Sequence, residues 1–408
     1  MYRKVEESQT LLINTQSKKL AAQNKELIKF GFGQSPFLPP KQVMNELKSA
    51  VHHKEYSSVQ GDLELRQYMA DFHKAHNGLS VLADDILIGP GSKILIFNTL
   101  MAFEKADVFI PTPSWVSYGP QAKLAGHNII QLPTDFDQKW RISAESLKKA
   151  SKHKLHRATI LILNYPGNPD GLTYSEGELK EIADQARIQN IYVISDEIYG
   201  LLNHNLNHKS FANYYPEKTI TTTGLSKWCG AGGWRFGAVF LPNEIESDLK
   251  KTMIGIGSET YSCAPTPVQI AARTAYKNFQ DITWYIKWQV NILSQIGNYC
   301  SDKLNSSGIR VHNPQGGFYI FPDFSLHQEK LHAAGIKTSN DLCQTLLKDT
   351  GVVLLPAHAF GFEENYLAAR LAFVDFIPPL ENSHFDVEKS CPKVKIGIDA
   401  IIKWIENI

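Results

Sequence analysis

The chain has 408 residues, with 42 lysines and arginines against 41 aspartates and glutamates and a formal net charge of +1. That balance gives no electrostatic reason to expect a nucleic acid or a membrane surface as partner and favours a small molecule, while the length predicts two domains, or one large domain with an appendage. The start, MYRKVEESQTLLINTQ, has no apolar signal core, and no apolar run approaches bilayer length. The five cysteines, Cys229, Cys263, Cys300, Cys343 and Cys391, are scattered without a CxxC pair. The expectation is a cytoplasmic protein with no disulfide framework and no thiolate metal site.

Pro39 and Pro40 precede KQVMNELKSAV, whose apolar residues recur at helical spacing, so a helix is predicted to begin there. Leu65, Tyr68, Met69, Phe72 and Ala75 repeat the pattern. From there short unbroken apolar runs alternate with helical stretches: DILI, DVFIP, NIIQL, ATILILN, IYVISD, TITTTG and RFGAVFL. Runs apolar throughout read as strands covered on both faces, which predicts an α/β domain with a mainly parallel, mixed sheet over about residues 50 to 290. Residues 279 to 304 read as one long helix. After it, IRVHNP, GGFYIFPDF, GVVLLPAHAF and YLAARLAFV predict a smaller α+β domain, formed by residues 291 to 408 with the N-terminal segment 1 to 49 packed against it.

Four stretches carry chemistry. LIGPGSKILIFNTLMAF passes from a strand through Gly89, Gly91 and Ser92 into a helix, an arrangement that can cradle a phosphate on backbone N–H groups, although an ordinary strand-helix turn has the same look. In ISDEIYG, Asp196 closes an apolar run where open α/β sheets bind their ligands, and a helix cap is the plainer alternative. Asn164 and Asn168 in LNYPGNPDG can be turn residues and nothing more. TTTGLSKWCGAGGWRFG places one lysine, Lys227, where an interior strand ends. An ammonium there is costly unless its charge is removed or paired.

Taken in order, the glycine-led turn, Trp115 in PTPSWVSY, NYPGNPDG, SDEIYG, GLSKWCGAGGWRFG and Arg370 in YLAARLAFV resemble the class I and II aminotransferases, pyridoxal-phosphate enzymes of fold type I. YSSVQGDLELR, PTPSWVSY and ISDEIYG are most similar to the prokaryotic aspartate aminotransferase branch. The resemblance implies that Lys227 bonds the aldehyde of pyridoxal 5'-phosphate and then serves as general base and acid. It also implies that Arg235, Ser92 and the N–H of Lys93 hold the phosphate, and that Asp196 keeps the pyridine nitrogen protonated. Asn168 and Tyr199 would bond the phenolic oxygen, Trp115 would stack on the ring, and Arg370 would take the substrate α-carboxylate. By the same resemblance Gly33 would belong to a loop that closes on substrate, and Tyr56 would reach the phosphate of the neighbouring subunit in a homodimer.

Lys93 aligns with a lysine that receives an acidic side chain, but a solvated first-turn lysine explains it equally. Asp170 stands where the family usually has threonine, and Gly224 where many relatives carry serine. The implied activity is transfer of an amino group from an α-amino acid, acidic or of broad range, to a 2-oxo acid such as 2-oxoglutarate. The alternative is a different pyridoxal-phosphate reaction, such as β-elimination, decarboxylation or cyclisation. A non-catalytic regulator is disfavoured, because residues before Gln34 are too few for a DNA-binding module. The histidine pairs His73 and His76, His153 and His156, and His204 and His208 lie in polar stretches and are expected on solvated faces rather than in a metal site. The basic clusters KKL (18 to 20) and KHKLHR (152 to 157) lack the interleaved aromatics of a nucleic-acid surface.

Overall fold

The seven apolar runs are the seven strands of one sheet: β1 (Ile86–Gly89), β2 (Ala106–Thr112), β3 (Asn128–Pro133), β4 (Ala158–Asn164), β5 (Tyr192–Asp196), β6 (Thr219–Gly224) and β7 (Gly237–Phe240). The structure is a computed structural model that describes residues 7, 26–241, 245, 247–277, 279–380 and 384–408. The MYRKVEESQTLLINTQ start, apart from residue 7, and the KKL cluster lie outside the described residues.

Spatial order across the sheet is β1-β7-β6-β5-β4-β2-β3. All neighbours are parallel except β7, which runs antiparallel to both β1 and β6. Six of the seven strands are buried along nearly their whole length because helices cover both faces, which is why their sequences are apolar throughout instead of alternating. Helix α1 (Ser92–Met101) follows β1 directly. Helix α2 (Glu176–Ile188) starts at a capping box, with the Ser175 side chain accepting from the Glu178 N–H and Glu178 bonding back, and it buries Leu179, Ile182, Ala183 and Ala186 at helical spacing.

The long helix α3 (Phe279–Ser306) includes buried Gln289, whose Nε2 donates to the Trp228 carbonyl at 2.7 Å. The backbone beside Lys227 is thereby fixed from behind. Beyond α3 lies the smaller α+β unit, with short antiparallel strands β8 (Tyr319–Ile320), β9 (Leu355–Pro356) and β10 (Ala369–Ala372) in the order β9-β10-β8. Ile28–Lys29 pairs parallel with Val352–Val353, and Gly397 in the last helix leaves room for Phe30, where a β-carbon would fall 2.5 Å from the ring. The described start of the chain is therefore tied to the C-terminal portion.

Four histidines differ from the expected solvated faces: His76, against Phe72 and Phe279, and His204, bonded to the Pro314 and Gly317 carbonyls, are half-buried, and two more are fully buried. His73 is buried against Phe72, Phe240 and Tyr276, and burial pushes its pKa down to about 3; His208 is buried with its Nε2 2.9 Å from Glu197 Oε2. His73 falls on the inward stripe of an amphipathic helix whose other face is polar, so the polar character of the surrounding stretch conceals its burial. Among the described residues no group of three or more His, Cys, Asp or Glu is placed to hold a metal ion, and no helix is long and apolar enough to cross a membrane.

Candidate active site

Strand register lines up three polar side chains at the carboxyl ends of β4, β5 and β6. Asn164 pairs with Asp196, and Asp196 with Thr222. Asp196, only 3 % exposed, accepts from Tyr118 at 2.7 Å on Oδ2 and from Thr222 Oγ1 at 3.1 Å on Oδ1, while Asn164 Nδ2 donates to the Asp196 carbonyl at 2.8 Å. Burial raises the Asp196 pKa, against the lowering effect of the Tyr118 and Thr222 bonds and of the Lys227 charge. Among the described residues no cation lies within ion-pair distance of it. A buried carboxylate held by donors yet lacking a cation fits a protonated ring nitrogen.

Next to it, β6 ends at Gly224 and the chain turns to Lys227, whose Nζ donates to the Gly33 carbonyl at 3.0 Å and lies 5.3 Å from the Tyr199 ring centroid and 5.4 Å from that of Phe318. A β-carbon on Gly224 would come within 2.5 Å of the Phe236 carbonyl, so this chain has no space for the serine found in many relatives.

The anion cradle is built from close backbone approach. Gly91, at φ +102°, precedes α1, and a β-carbon there would lie 2.1 Å from an Arg235 guanidinium nitrogen. Gly237 likewise lacks room, since its β-carbon would meet the Ser92 N at 2.3 Å. Arg235 takes the left-handed conformation at φ +58° and donates from Nη1 to the Gly232 carbonyl at 2.8 Å. Lys93 follows in the first turn of α1, its pKa lowered by burial and then by the neighbouring Arg235 charge, with its Nζ 5.2 Å from the Trp115 ring centroid. The first turn of α1 holds no acidic residue, and among the described residues no carboxylate pairs with Arg235 or Lys93. Two cations and a helix N-terminus without a counterion fit a phosphate dianion.

Arg370, on β10 and 1 % exposed, faces this cluster from the smaller unit. Its Nη1 donates to Asn168 Oδ1 at 3.0 Å and its Nη2 to the Gly31 carbonyl at 2.6 Å, while Nε has no partner. Burial lowers its pKa, and no carboxylate pairs with it among the described residues. An unpaired buried guanidinium with a free N–H fits a small carboxylate.

Lys227 meets the Tyr199 ring and the Gly33 carbonyl, Arg370 meets Asn168, and Tyr319 joins the two groups with its hydroxyl on Tyr199 and its ring against Arg370; Asp196 lies beside Lys227, and Ser92, Lys93, Arg235 and Trp115 gather at the start of α1. Tyr56 stands apart: it is 87 % exposed, in an open surface cavity with Glu55, Asp62 and Arg273. Sequence reasoning missed Tyr118, Thr222 and Tyr319. The Tyr319 hydroxyl is 3.0 Å from that of Tyr199 and takes the space a Gly33 β-carbon would need, at 1.9 Å.

Residues 25–372 match the family model for aminotransferase class I and II. The chain is similar to an aspartate aminotransferase of Bacillus sp. (strain YM-2), 31% identical over 362 residues that cover 87% of this chain and 89% of that protein. It is also similar to a probable N-acetyl-LL-diaminopimelate aminotransferase of Bacillus subtilis, 32% identical over 364 residues covering 87% and 86%. An aspartate aminotransferase from Thermus thermophilus, solved with maleate, shares the fold at a TM-score of 0.85 and 23% identity, covering 98% of this chain and 100% of that one. The chain belongs to the class I and II aminotransferases and is an aminotransferase with the fold type I architecture of pyridoxal-phosphate enzymes.

Proposed function

We propose that this aminotransferase moves the amino group of an acidic amino acid such as aspartate, or of a broad range of α-amino acids, to a 2-oxo acid such as 2-oxoglutarate, holding pyridoxal 5'-phosphate between Asp196, Lys227 and Arg235. The single observation that carries the proposal is a charge pattern: a buried carboxylate without a cation (Asp196) and a buried guanidinium without an anion (Arg370) flank one lysine, Lys227. When bound, the cofactor supplies an aldehyde that takes up amino groups and a ring that accepts electrons.

The chain does the rest. Arg235, Ser92 and the Lys93 N–H hold the phosphate at the α1 N-terminus. Asp196 keeps the ring nitrogen protonated, Asn168 and Tyr199 hold the phenolic oxygen, and Trp115 covers the ring. Arg370 takes the substrate α-carboxylate in its planar fork, which orients the Cα–H bond. The Lys227 amine would remove that proton as base and return it as acid. The Gly33 loop closes over the substrate, and Lys93 receives an acidic side chain. Some relatives are named for aspartate, and others for asparagine, N-acetyl-LL-diaminopimelate or aromatic amino acids, which supports a range wider than one donor.

Tyr56 belongs to a second copy's site in a homodimer, in line with its exposure as a single chain. The division into a large domain, residues 50–290, and a small one, 1–49 with 291–408, and a cytoplasmic location in keeping with unpaired cysteines, complete the proposal. Borohydride reduction of the cofactor-loaded protein, followed by digestion and mass measurement, should tag Lys227. A tag elsewhere refutes the assignment. Titrating cofactor absorbance with aspartate, glutamate, alanine and aromatic amino acids ranks the donors.

A further inference from the structure

We infer that Tyr319 is a positioning residue of the transamination site, its phenol acting as the donor that fixes which way the Tyr199 proton points. This rests on the proposal that Tyr199 bonds the cofactor's phenolic oxygen. Tyr319 is buried on β8, with its hydroxyl 3.0 Å from the Tyr199 hydroxyl and 3.5 Å from the Gly33 carbonyl, the same carbonyl that accepts from Lys227 Nζ at 3.0 Å. The two tyrosine rings meet edge to face, and the Arg370 guanidinium lies 4.6 Å over the Tyr319 ring.

A phenol has one proton to give. If Tyr199 turns its proton toward the cofactor oxygen, the short contact between the hydroxyls is a hydrogen bond only when Tyr319 donates into Tyr199. That donation polarises the Tyr199 O–H and strengthens what it gives in turn. The charged and titratable groups facing Tyr319 are Tyr199, Lys227 and Arg370. Burial would raise the Tyr319 pKa, but the Lys227 and Arg370 cations and the hydrogen bonds outweigh it and bring the phenol below its ordinary range. Tyr199 is pushed up, by burial and then by Tyr319. Gly33, with no β-carbon, leaves the hydroxyl its place.

The test uses protein loaded with pyridoxal phosphate and reads the pH midpoint of the bound cofactor's absorbance. A weaker Tyr199 donor stabilises the phenolate less, so Tyr319→Phe, which keeps the ring packing, should raise the midpoint by about half a pH unit. Tyr199→Phe should raise it more, and adding Tyr319→Phe to Tyr199→Phe should change nothing further. Installing 3-fluorotyrosine at position 319 makes that phenol more acidic at almost constant volume and should move the midpoint down. This second measurement stands even if the phenylalanine variant folds poorly. Equal shifts with and without the Tyr199 hydroxyl, or no shift in either direction, overturn the inference while leaving the site assignment standing. A wild-type protein that shows no bound-cofactor absorbance at all brings down the site assignment and this inference together.

Discussion

Tyr118 donates its phenolic hydrogen to Asp196 Oδ2 at 2.7 Å, and both groups are buried. Asp196 can hold a ring proton only as the carboxylate, and burial pushes it toward the neutral form. The Tyr118 donor opposes that push. Tyr118→Phe removes one oxygen and keeps the ring against Trp115. Its kcat should fall roughly tenfold, the scale of one charge-assisted hydrogen bond expressed in the barrier. Steady-state kinetics at several pH values check this. An unchanged kcat would mean that Thr222, the Ile198 N–H and the Lys227 charge keep Asp196 ionised without Tyr118.

Arg370 is prepared for an anion by geometry as well as charge. Asn168 and Gly31 each hold one of its terminal nitrogens, while Nε lacks a partner. Lysine keeps the charge but loses the planar fork. For Arg370→Lys, kcat/KM with α-amino acids should fall by roughly 100-fold, a loss of bidentate recognition. Amines lacking the carboxylate should react no worse than with the wild type. Stopped-flow measurement of the half-reaction separates the two substrate classes, and a parallel loss for both would remove Arg370 from carboxylate recognition.

The parallel strands and their carboxyl ends were readable because burial on both faces leaves an unbroken apolar run, and Asp196 and Lys227 interrupt such runs with charge. Tyr118 and Tyr319 were not readable in the same way. Each is an aromatic inside an apolar or turn segment, and nothing in WVSY or GGFYIF separates a tyrosine that packs from one whose hydroxyl meets a partner contributed by a distant segment. Thr222 looked like any β-branched strand residue until the register placed it beside Asp196. His73 and His208 were misjudged as solvated for the converse reason: local polarity says little about which face of a helix or loop turns inward.

The cradle makes a steric prediction. Gly91 is held at φ +102°, where a side chain is strained, and the space a β-carbon would take is filled by the Arg235 guanidinium. Gly91→Ala should displace that guanidinium and weaken pyridoxal phosphate binding by roughly tenfold or more, a cost of at least about 1.4 kcal/mol. The melting temperature gained on adding cofactor should shrink accordingly, while the cofactor-free protein changes less. Equal gains in variant and wild type would show that Arg235 does not hold the phosphate.

Asp170 gives the chain a pH dependence of its own. Burial raises its carboxyl to about 7, although the Leu172 N–H donates to it at 2.7 Å and the Arg141 charge pulls it down. With the unfolded value near 3.8, the folded chain binds a proton between about pH 4 and pH 7 that the unfolded chain has released. The associated stability is therefore complete below about pH 4 and lost as pH rises through about 7, a total of a few kcal/mol at about 1.4 kcal/mol per unit. Asp170→Asn cannot ionise, yet its carbonyl oxygen can still accept from Leu172. It should be more stable than the wild type at pH 8, with the difference shrinking toward pH 5, as read from paired thermal melts. Because every other titrating group is common to both proteins, parallel pH curves would show that Asp170 ionises normally, and that the turn carrying Asn168 does not hold a neutral acid.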